Sequence, residues 1–590
     1  MVFDQRYAQA VPGVPMDPSR GVNILAYLLG RRLIRRADVS RPVAPPLRNL
    51  LRVHTVAYLE SIENAAVLSS IFGVPVRDSE VGRLVEWQRL AVGGTIQAAR
   101  MALAGRGCTA NLSGGFHHAC RERGGGFCVL NDVAIAIRRL RAKGFRKRIL
   151  VVDLDLHQGN GTREIFAGDT SVHTFSIHNT SWDDAPAGSS TDLSLGTAVG
   201  DARYIEALRE ALPPLLADFR PGLVFYVAGT DPAWDDALGD WNVSADGMLY
   251  RDRFVVVQVR SICGPRTPIV IVLGGGYGHA SWRYSARFLG WLAKGLVVEP
   301  PDEMELTVQR YGPVVRGIHR DLARQSGAEW RLTNDDLLGI APGEARETRI
   351  LGRYTLQGIE LLLAKVGILE RLRALGYRTP VLDADFGSGL GQTLRVYGSE
   401  QREELLIELR MRRDRRTVPE FELLFLEWLL LQNPRARFSP RLPPLPGQQH
   451  PGLGLLGVVM GLLVLIAEQL GLDGVVDVPS NYYIAAVGRK HLRFLDPAAQ
   501  ARFESLSQLF LGLPLADAER LLQGSVVDAP TGTIVRWEPA PMVIPVGARL
   551  ARRLKSEAYD AARRAAKSRL ELRLLGGRPA PASEVTLARG

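Results

Sequence analysis

Cysteine is scarce in this chain: its 590 residues include four, Cys108, Cys120, Cys128 and Cys263, and no two of them have the C-x-x-C spacing. Four cysteines are far too few to hold a chain of this length together, which excludes a disulfide scaffold. The first twenty residues also lack the basic start and the apolar run of a secretory signal. We therefore expect a protein of the reducing cytoplasm.

Long apolar runs are equally rare. The main candidate, residues 451–467 (PGLGLLGVVMGLLVLIA), has seventeen uncharged residues, whereas a membrane-spanning helix needs about 20. Its glycines and the lack of flanking basic anchors favour a buried core helix. We expect no membrane partner.

The composition is otherwise typical of packed globular proteins, with 46% hydrophobic and 23% charged residues. It excludes wholesale disorder, because disordered chains lack the apolar side chains that offset the entropy of ordering. At roughly 150 residues per domain, the length predicts two to four domains.

The net charge of +11 is modest and is concentrated near the C-terminus, where residues 549–573 carry nine basic side chains against three acidic ones. A basic helix can bind nucleic-acid phosphates, but Tyr559 is the one aromatic side chain in this stretch that could stack on a base. The pattern is more typical of a solvated helix, and nucleic acid is not an expected partner.

Three apolar runs predict buried parallel strands, at 148–153 (RILVVD), 222–228 (GLVFYVA) and 268–273 (PIVIVL). Helical periodicity at 132–141 and 201–216 occupies the intervals, an alternation typical of a doubly wound α/β domain. Ligands gather at the carboxyl ends of the strands in such sheets. We therefore expect an α/β domain over residues 1–300 in which the three following loops meet at one site.

Acidic and imidazole groups alternate directly after the first of these strands, in Asp153-Leu-Asp155-Leu-His157. In extended backbone a period of two places these side chains on one side. Asp231, which ends the next strand in A-G-T-D, can supply a further carboxylate. Singly, each residue could be a helix cap or a solvated side chain. Together, buried at adjacent strand ends, they would repel unless a cation neutralised them, so they predict a metal site with an open position, as in catalytic zinc centres.

Two adjacent histidines, His117 and His118, follow the glycine pair of N-L-S-G-G-F-H-H-A. Their ordinary pKa near neutrality suits them to acid–base catalysis on a metal-bound water. Asp153 is the natural acceptor for one ring, and Asn160 is a candidate partner for the other. Tyr277 follows three glycines at the end of the third strand, where its phenol can donate to a developing oxyanion. A core tyrosine after a glycine turn would look the same.

The first half of the chain resembles the zinc-dependent histone deacetylase superfamily, which has the arginase/deacetylase fold. Five ordered motifs between about residue 53 and about residue 296 carry the resemblance: N-L-S-G-G-F-H-H-A, G-G-F-C-V-L-N-D-V-A-I-A, D-L-D-L-H-Q-G-N-G-T, Y-V-A-G-T-D-P-A-W-D-D-A-L-G and L-G-G-G-Y. Gln158, where many members have a second histidine, is similar to class IV and related bacterial deacetylases.

The resemblance implies a zinc ion held by Asp155, His157 and Asp231. It implies that His118 is the general base and acid. It also implies that His117, paired with Asp153, stabilises the charge that develops beside His118. Tyr277 would polarise the acyl carbonyl.

The resemblance also implies a substrate tunnel. Phe127 would line the tunnel that admits an acyl-lysine stem, and Leu238 would lie near its mouth. Structural potassium would be held by backbone carbonyls near residues 153–157 and at Ser176-Ile177.

A second domain is predicted after Pro300-Pro301: a connector over 301–340, an α+β domain over 341–545, and a basic helix with a frayed tail over 546–590. Its strands and apolar helix resemble, in order, the acyl-CoA-binding half of GNAT-type N-acetyltransferases. Between them Gln449, Gly452 and Gly454 fit Q-x-x-G-x-G, whose backbone N–H groups can hold a pyrophosphate, as in acetyl-CoA. A glycine-bearing loop that enters a core helix is the alternative.

Together these features predict hydrolysis of an N-acetyl or other N-acyl amide, on protein lysines or small acylated amines. Two alternatives stay open: an acetylpolyamine amidohydrolase, and a catalytically inactive protein that binds acyl-lysine. The intact ligand set and Tyr277 argue against the inactive protein.

Overall fold

The computed structural model describes residues 1–182, 188–326, 349–386, 391–438, 444–511 and 513–575. The chain divides into two compact units, Met1–Pro300 and Pro301–Gly590. Each unit has its own central sheet.

The first unit is built on a six-stranded parallel sheet with the strand order β1-β6-β5-β2-β3-β4. Its strands are β1 (Cys108–Asn111), β2 (Ile149–Asp153), β3 (Val172–His178), β4 (Ser190–Ser194), β5 (Leu223–Val227) and β6 (Ile269–Val272). Every residue of β2, β5 and β6 is buried, as expected for parallel strands covered by helices. The predicted α/β fold class is confirmed.

Ten α-helices are described in this unit. They are α1 (Arg20–Gly30), α2 (Leu47–Leu50), α3 (Val56–Ser61), α4 (Ala65–Phe72), α5 (Asp78–Met101), α6 (Asp132–Ala142), α7 (Asn160–Phe166), α8 (Asp201–Phe219), α9 (Ala245–Ile262) and α10 (Ser281–Lys294). Side-chain caps set several of their starts: Asn131 accepts the Ala134 N–H at α6, and Ser244 accepts the Gly247 N–H at α9. The helices predicted over 132–141 and 201–216 correspond to α6 and α8.

The sheet register places the predicted site loops together. Asp153 at the end of β2 pairs with Val227 at the end of β5, and Val227 pairs with Val272 at the end of β6. The loops after these three neighbouring strands therefore leave the sheet along the same edge.

The second unit has a seven-stranded mixed sheet in the order β12-β15-β11-β10-β9-β8-β7 and a separate sheet in the order β14-β13-β16. The strands are β7 (Val381–Asp385), β8 (Gln392–Tyr397), β9 (Leu405–Asp414), β10 (Leu423–Leu431), β11 (Gly474–Asp477), β12 (Arg493–Phe494), β13 (Val526–Asp528), β14 (Thr533–Ile534), β15 (Met542–Pro545) and β16 (Leu572–Leu574). Strands β7 to β10 form an antiparallel meander, and β11 then lies parallel to β10. This is the second α+β domain that the sequence predicted.

The helices of this unit are α11 (Glu303–Ser326), α12 (Leu356–Lys365), α13 (Ile368–Ala374), α14 (Leu456–Gln469), α15 (Tyr482–Gly488), α16 (Pro497–Leu509), α17 (Leu515–Leu522), α18 (Ala548–Leu554) and α19 (Glu557–Lys567). The apolar run at 451–467 supplies most of α14, which is largely buried in the core. Within the described part of the chain, no helix combines the length and the apolarity that crossing a bilayer requires.

Within the predicted connector over 301–340, the structure places α11 over residues 303–326. Apolar side chains recur at helical spacing along α11 and pack into the core, at Met304, Val308, Tyr311 and Val315. Charged residues between them obscured this stripe in the sequence. Residues 327–340 lie outside the described residues.

The predicted single basic helix near the C-terminus is two helices, α18 and α19. The break falls at Ser556, whose hydroxyl caps α19 by accepting the Tyr559 N–H. Basic side chains here pair with acids, such as Arg553 with Glu420 and Arg563 with Glu504. The tail predicted to be frayed falls at 576–590, outside the described residues.

Candidate active site

Asp155, His157 and Asp231 converge at the carboxyl edge of the parallel sheet. One ligand atom from each lies within 4.8 Å of the other two, and both carboxylates are buried. Nδ1 of His157 is 3.2 Å from Asp155 Oδ1 and 3.0 Å from Asp231 Oδ2. The structure thus brings together the three side chains predicted to be metal ligands.

Backbone N–H groups hold the two carboxylates in place. Gly275 donates to Asp155 Oδ2 over 2.6 Å, and Leu156 donates to Asp231 Oδ1 over 3.1 Å. A Cβ at Gly275 would lie 2.5 Å from Asp231 Oδ2 and 2.7 Å from Asp155 Oδ2. The loop after β6 can approach the acids this closely only with glycine at that position.

The electrostatics of these side chains call for a cation. Burial and the charge of Asp155 raise the pKa of Asp231 to about 7. Although burial opposes it, hydrogen bonds to Asp155 and Asp231 raise the pKa of His157 to about 11. The imidazole takes up the positive charge that the buried acids require. Two carboxylates and one imidazole are a donor set that fits a divalent ion such as zinc, with His157 then a neutral ligand.

The paired histidines stand beside these ligands with opposite protonation tendencies. His117 Nδ1 donates to Asp153 Oδ2 over 2.8 Å, and the charges of Asp153 and Asp155 outweigh burial to raise the pKa of His117 to about 9. His118 Nδ1 donates to Asn160 Oδ1 over 2.8 Å. Burial, with the nearby charge of His117, holds the pKa of His118 well below its usual value. His118 is therefore the neutral ring of the pair, with Nε2 available as a base.

Tyr277 lies against the same cavity as His118 and His157. Its backbone N–H donates to Asp236 Oδ2 over 2.6 Å, which fixes the residue after the glycine run. Burial and the charges of Asp231 and Asp155 hold the pKa of Tyr277 well above its usual value. The phenol therefore stays protonated and acts as a hydrogen-bond donor.

The two predicted tunnel residues have different surroundings. Phe127 lines the cavity, and its ring centroid is 5.6 Å from that of Tyr277 in an edge-to-face contact. It has φ +65°, a conformation that bulky side chains seldom adopt and that marks a constrained position. Leu238 is exposed, in a loop that Asp236 anchors by accepting its N–H. Its place at the tunnel mouth stays a prediction.

Sequence reasoning missed Trp182, which stacks on His118. The ring centroids are 3.9 Å apart with an angle of 14° between the planes. Gln158 positions Trp182 by accepting its backbone N–H over 2.7 Å. The segment carried no recognisable motif, so only the fold could place this side chain over the candidate base.

Arg20 was also missed, because it lies more than 200 residues before the loop that it supports. Its buried guanidinium donates to the carbonyls of Leu273, Gly274 and Gly275 at 2.9–3.2 Å. These bonds hold the glycine loop whose Gly275 N–H binds Asp155. An arginine in an N-terminal helix gave no signal of this role.

In the second unit, Gln449, Gly452 and Gly454 lie exposed in the loop before α14. A Cβ at Gly454 would meet nothing within 4 Å, and one at Gly452 would meet only the Leu431 carbonyl oxygen, at 3.7 Å. The pairing of β10 with β11 ends at Leu426 and Asp477, although β10 continues to Leu431. Because β11 itself ends at Asp477, the last residues of β10 extend beyond it, and the exposed loop follows that end of β10.

The parallel sheet, with acids and histidines at its carboxyl edge, defines the first unit as an α/β protein with a possible metal site. A family model described as "Histone deacetylase domain" matches residues 14–289. Histone deacetylase 2 of Arabidopsis thaliana is 32% identical over 316 residues, which are 51% of this chain and 81% of that protein. An uncharacterised protein of Picosynechococcus sp. is 35% identical over 283 residues, 47% of this chain and 91% of that protein. Among solved structures, the HDA15 HD domain has 26% identity and a TM-score of 0.42, with 50% of this chain and 88% of that chain covered.

This chain belongs to the histone deacetylase family. Its first unit is accordingly a deacetylase-type amidohydrolase, as the motifs predicted.

Proposed function

We propose that the first unit is a zinc-dependent N-acyl amidohydrolase that removes acetyl groups from protein lysines or from related small amines. The observation that carries the proposal is the convergence of Asp155, His157 and Asp231 beside one neutral histidine and one protonated phenol. Family membership supports the reaction class.

The three converging side chains would hold the zinc ion, which when bound supplies a Lewis acid for the acyl carbonyl and a more acidic water. His118 Nε2 accepts the proton of the attacking water and passes it to the departing amine. The Asn160 carboxamide keeps the other ring nitrogen protonated, so that Nε2 is the basic atom.

Two further groups respond to the charge that develops during hydrolysis. His117, kept cationic by Asp153, stabilises the negative charge beside His118. The Tyr277 O–H donates to the carbonyl oxygen as it gains charge, the task of an oxyanion-hole donor. Phe127 and Trp182 present aromatic surfaces on which an apolar lysine stem can pack.

The test is turnover by the metal-loaded full chain on acetyl-lysine peptides and on acetylpolyamines, with and without a chelator. We expect acetate release that the chelator stops and zinc restores. His118→Ala should lower kcat by a factor of about 10²–10⁴. The control variant His173→Ala, which removes a β3 histidine hydrogen-bonded to Ser189 and Thr191, should keep the wild-type kcat. Peptide binding without turnover would establish the inactive acyl-lysine-binding alternative. Preference for the polyamine would establish the acetylpolyamine amidohydrolase.

Two accompanying features are part of this proposal. Potassium would be bound by backbone carbonyls near 153–157 and Ser176-Ile177. Dialysis of the protein against a rubidium salt removes loosely held potassium, and flame photometry then measures the potassium that the protein retains. The protein would act in the cytoplasm; its four cysteines are free, which supports a reducing compartment.

A second candidate function, acyl-CoA binding with N-acetyl transfer, is proposed for the second unit. It is supported by the exposed loop of Gln449, Gly452 and Gly454 and by the end of β10, which continues to Leu431 past the last residue of β11. Open backbone groups there can receive a pantetheine chain, and N–H groups at the start of α14 can receive a pyrophosphate.

Calorimetric titration of the full chain with acetyl-CoA tests this function. Gly452→Glu, which places a negative charge at an exposed position of the loop without a steric clash, should weaken binding at least about 10-fold. Gly524→Glu is the matched control, because that glycine is also exposed and a Cβ there meets nothing within 4 Å. Absence of saturable binding would refute this function and leave the deacetylase proposal untouched.

A further inference from the structure

A cluster of basic side chains lies at the edge of the first sheet opposite to the metal ligands. Three loops supply it: residues 143–148 lead into β2, residues 220–222 into β5, and residues 263–268 into β6. Since these strands are adjacent in the order β6-β5-β2, the loops at their amino ends lie side by side. They line a cleft of about 730 Å³ whose charged residues are Arg146, Lys147, Arg148, Arg220 and Arg266.

The positive charge of this basic cleft is not compensated. No aspartate or glutamate is among the residues that line it. All five basic side chains are exposed, and over the described ranges none of them forms an ion pair. Other arginines of the same unit do, such as Arg138 with Asp169 and Arg123 with Glu164. Five like charges in one cleft produce a positive potential that favours anions.

Backbone contacts give the cleft a defined shape. The Gly222 N–H donates to the Arg148 carbonyl over 2.8 Å and ties two of the loops together. The Arg141 guanidinium donates to the carbonyls of Phe145 and Lys147 at 3.0 and 2.8 Å. The Lys147 stem passes over Gly222, where a Cβ would lie 2.6 Å from it. The loops therefore bring the charges together in a fixed arrangement.

Two of the arginines are restrained before any ligand binds. The Arg148 guanidinium lies 5.4 Å from the centroid of the Phe219 ring, and Arg220 Nε donates to the Ala217 carbonyl over 3.1 Å. Such contacts reduce the side-chain entropy that binding would cost. The planar guanidinium forks match the oxygens of phosphate groups in two-point contacts.

We propose that the basic cleft binds a small soluble polyanion with adjacent phosphate groups, such as a triphosphate. Several arginines around one cleft suit several neighbouring phosphates better than a single carboxylate, because each phosphate can accept from its own guanidinium. The cleft lies across the sheet from Asp155 and Asp231, so this site is distinct from the hydrolytic one and does not depend on the proposed reaction.

Isothermal titration of the full chain with inorganic tripolyphosphate tests the proposal. We expect saturable binding that weakens as salt is raised, since exposed charges are screened, and weaker binding of orthophosphate. The double variant Arg220→Gln/Arg266→Gln should lose at least about 10-fold in affinity, because it removes two charged donors. Its matched control is Arg203→Gln/Lys294→Gln, the same charge change at exposed positions outside the cleft. Both variants should keep the wild-type deacetylase rate and melting temperature.

Three results would overturn the proposal. The first is no saturable binding of tripolyphosphate at low salt. The second is an equal loss of affinity in both double variants, which would show that net charge alone attracts the anion. The third is cleft-dependent binding of a single-stranded oligonucleotide without binding of tripolyphosphate, which would identify a nucleic-acid surface instead.

Discussion

Replacement of Tyr277 by phenylalanine separates the chemistry of the site from its architecture. The change removes one oxygen and keeps the ring, which packs edge-to-face on Phe127. It also keeps the backbone N–H that donates to Asp236. No described residue accepts the phenol O–H, so its removal leaves no buried partner unsatisfied. We expect the free energy of unfolding to change by less than about 1 kcal/mol.

The effect on turnover should be far larger. A donor aimed at a developing oxyanion contributes about 2.7–4 kcal/mol to the transition state, equivalent to about 10²–10³ in kcat. Because burial and the neighbouring carboxylates keep this phenol protonated, the loss should persist across the neutral pH range. The measurement is the kcat of zinc-loaded Tyr277→Phe on an acetyl-lysine peptide, together with its metal content and urea unfolding curve.

Tyr27→Phe is the matched control, since the Tyr27 O–H donates to the Val298 carbonyl over 2.7 Å in the same unit. It should keep kcat and lose about 1 kcal/mol of stability. If Tyr277→Phe, fully loaded with zinc, turned over within about threefold of the wild type, the oxyanion role of Tyr277 would be refuted.

Three other predictions follow from single contacts. Asp231→Asn should reduce bound zinc well below one equivalent by atomic absorption, since it removes one of the two carboxylates proposed to bind the ion. Stoichiometric zinc would contradict the ligand assignment. Gly115→Ala should cost more than about 2 kcal/mol in urea unfolding, because Gly115 has φ +85° and a Cβ would lie 2.6 Å from Gly274 Cα, whereas Gly30→Ala, with open space, should be nearly neutral. Asp302→Ala should destabilise the second unit by about 1 kcal/mol at pH 7. Although burial opposes it, hydrogen bonds from His491, Glu305 and Lys490 hold the pKa of Asp302 far below its ordinary value of 3.8. That stabilisation is complete above pH 3.8 and is lost as the pH falls from 3.8 towards the lower pKa of the folded state. The mutant and wild-type unfolding curves should therefore converge in acid, and a constant difference would refute this explanation.

The convergence of Asp155, His157 and Asp231 was predictable because these residues obey a local rule. A buried strand followed by alternating acids and a histidine places polar groups at a sheet edge, and the three strands that carry the rule are neighbours in the structure. The pairings of His117 with Asp153 and of His118 with Asn160 also match the prediction.

Other features depended on contacts that no local pattern reports. Arg20 reaches carbonyls more than 250 residues away in the chain, and Trp182 covers His118 from a segment without a motif. The apolar stripe of α11, within the predicted connector, was not predicted because charged residues lie between its apolar side chains.

By itself, the sequence determined which strands are buried and which end in acids and histidines, because periodicity and residue chemistry act over short stretches. The reaction class came from the resemblance of its motifs to a known family. Only the tertiary structure decided that two imidazoles in the same dipeptide have opposite protonation tendencies, since those depend on burial and on charges contributed by distant strands. It also decided that loops at the far edge of the same sheet collect five unpaired cations, because strand order brings those loops together.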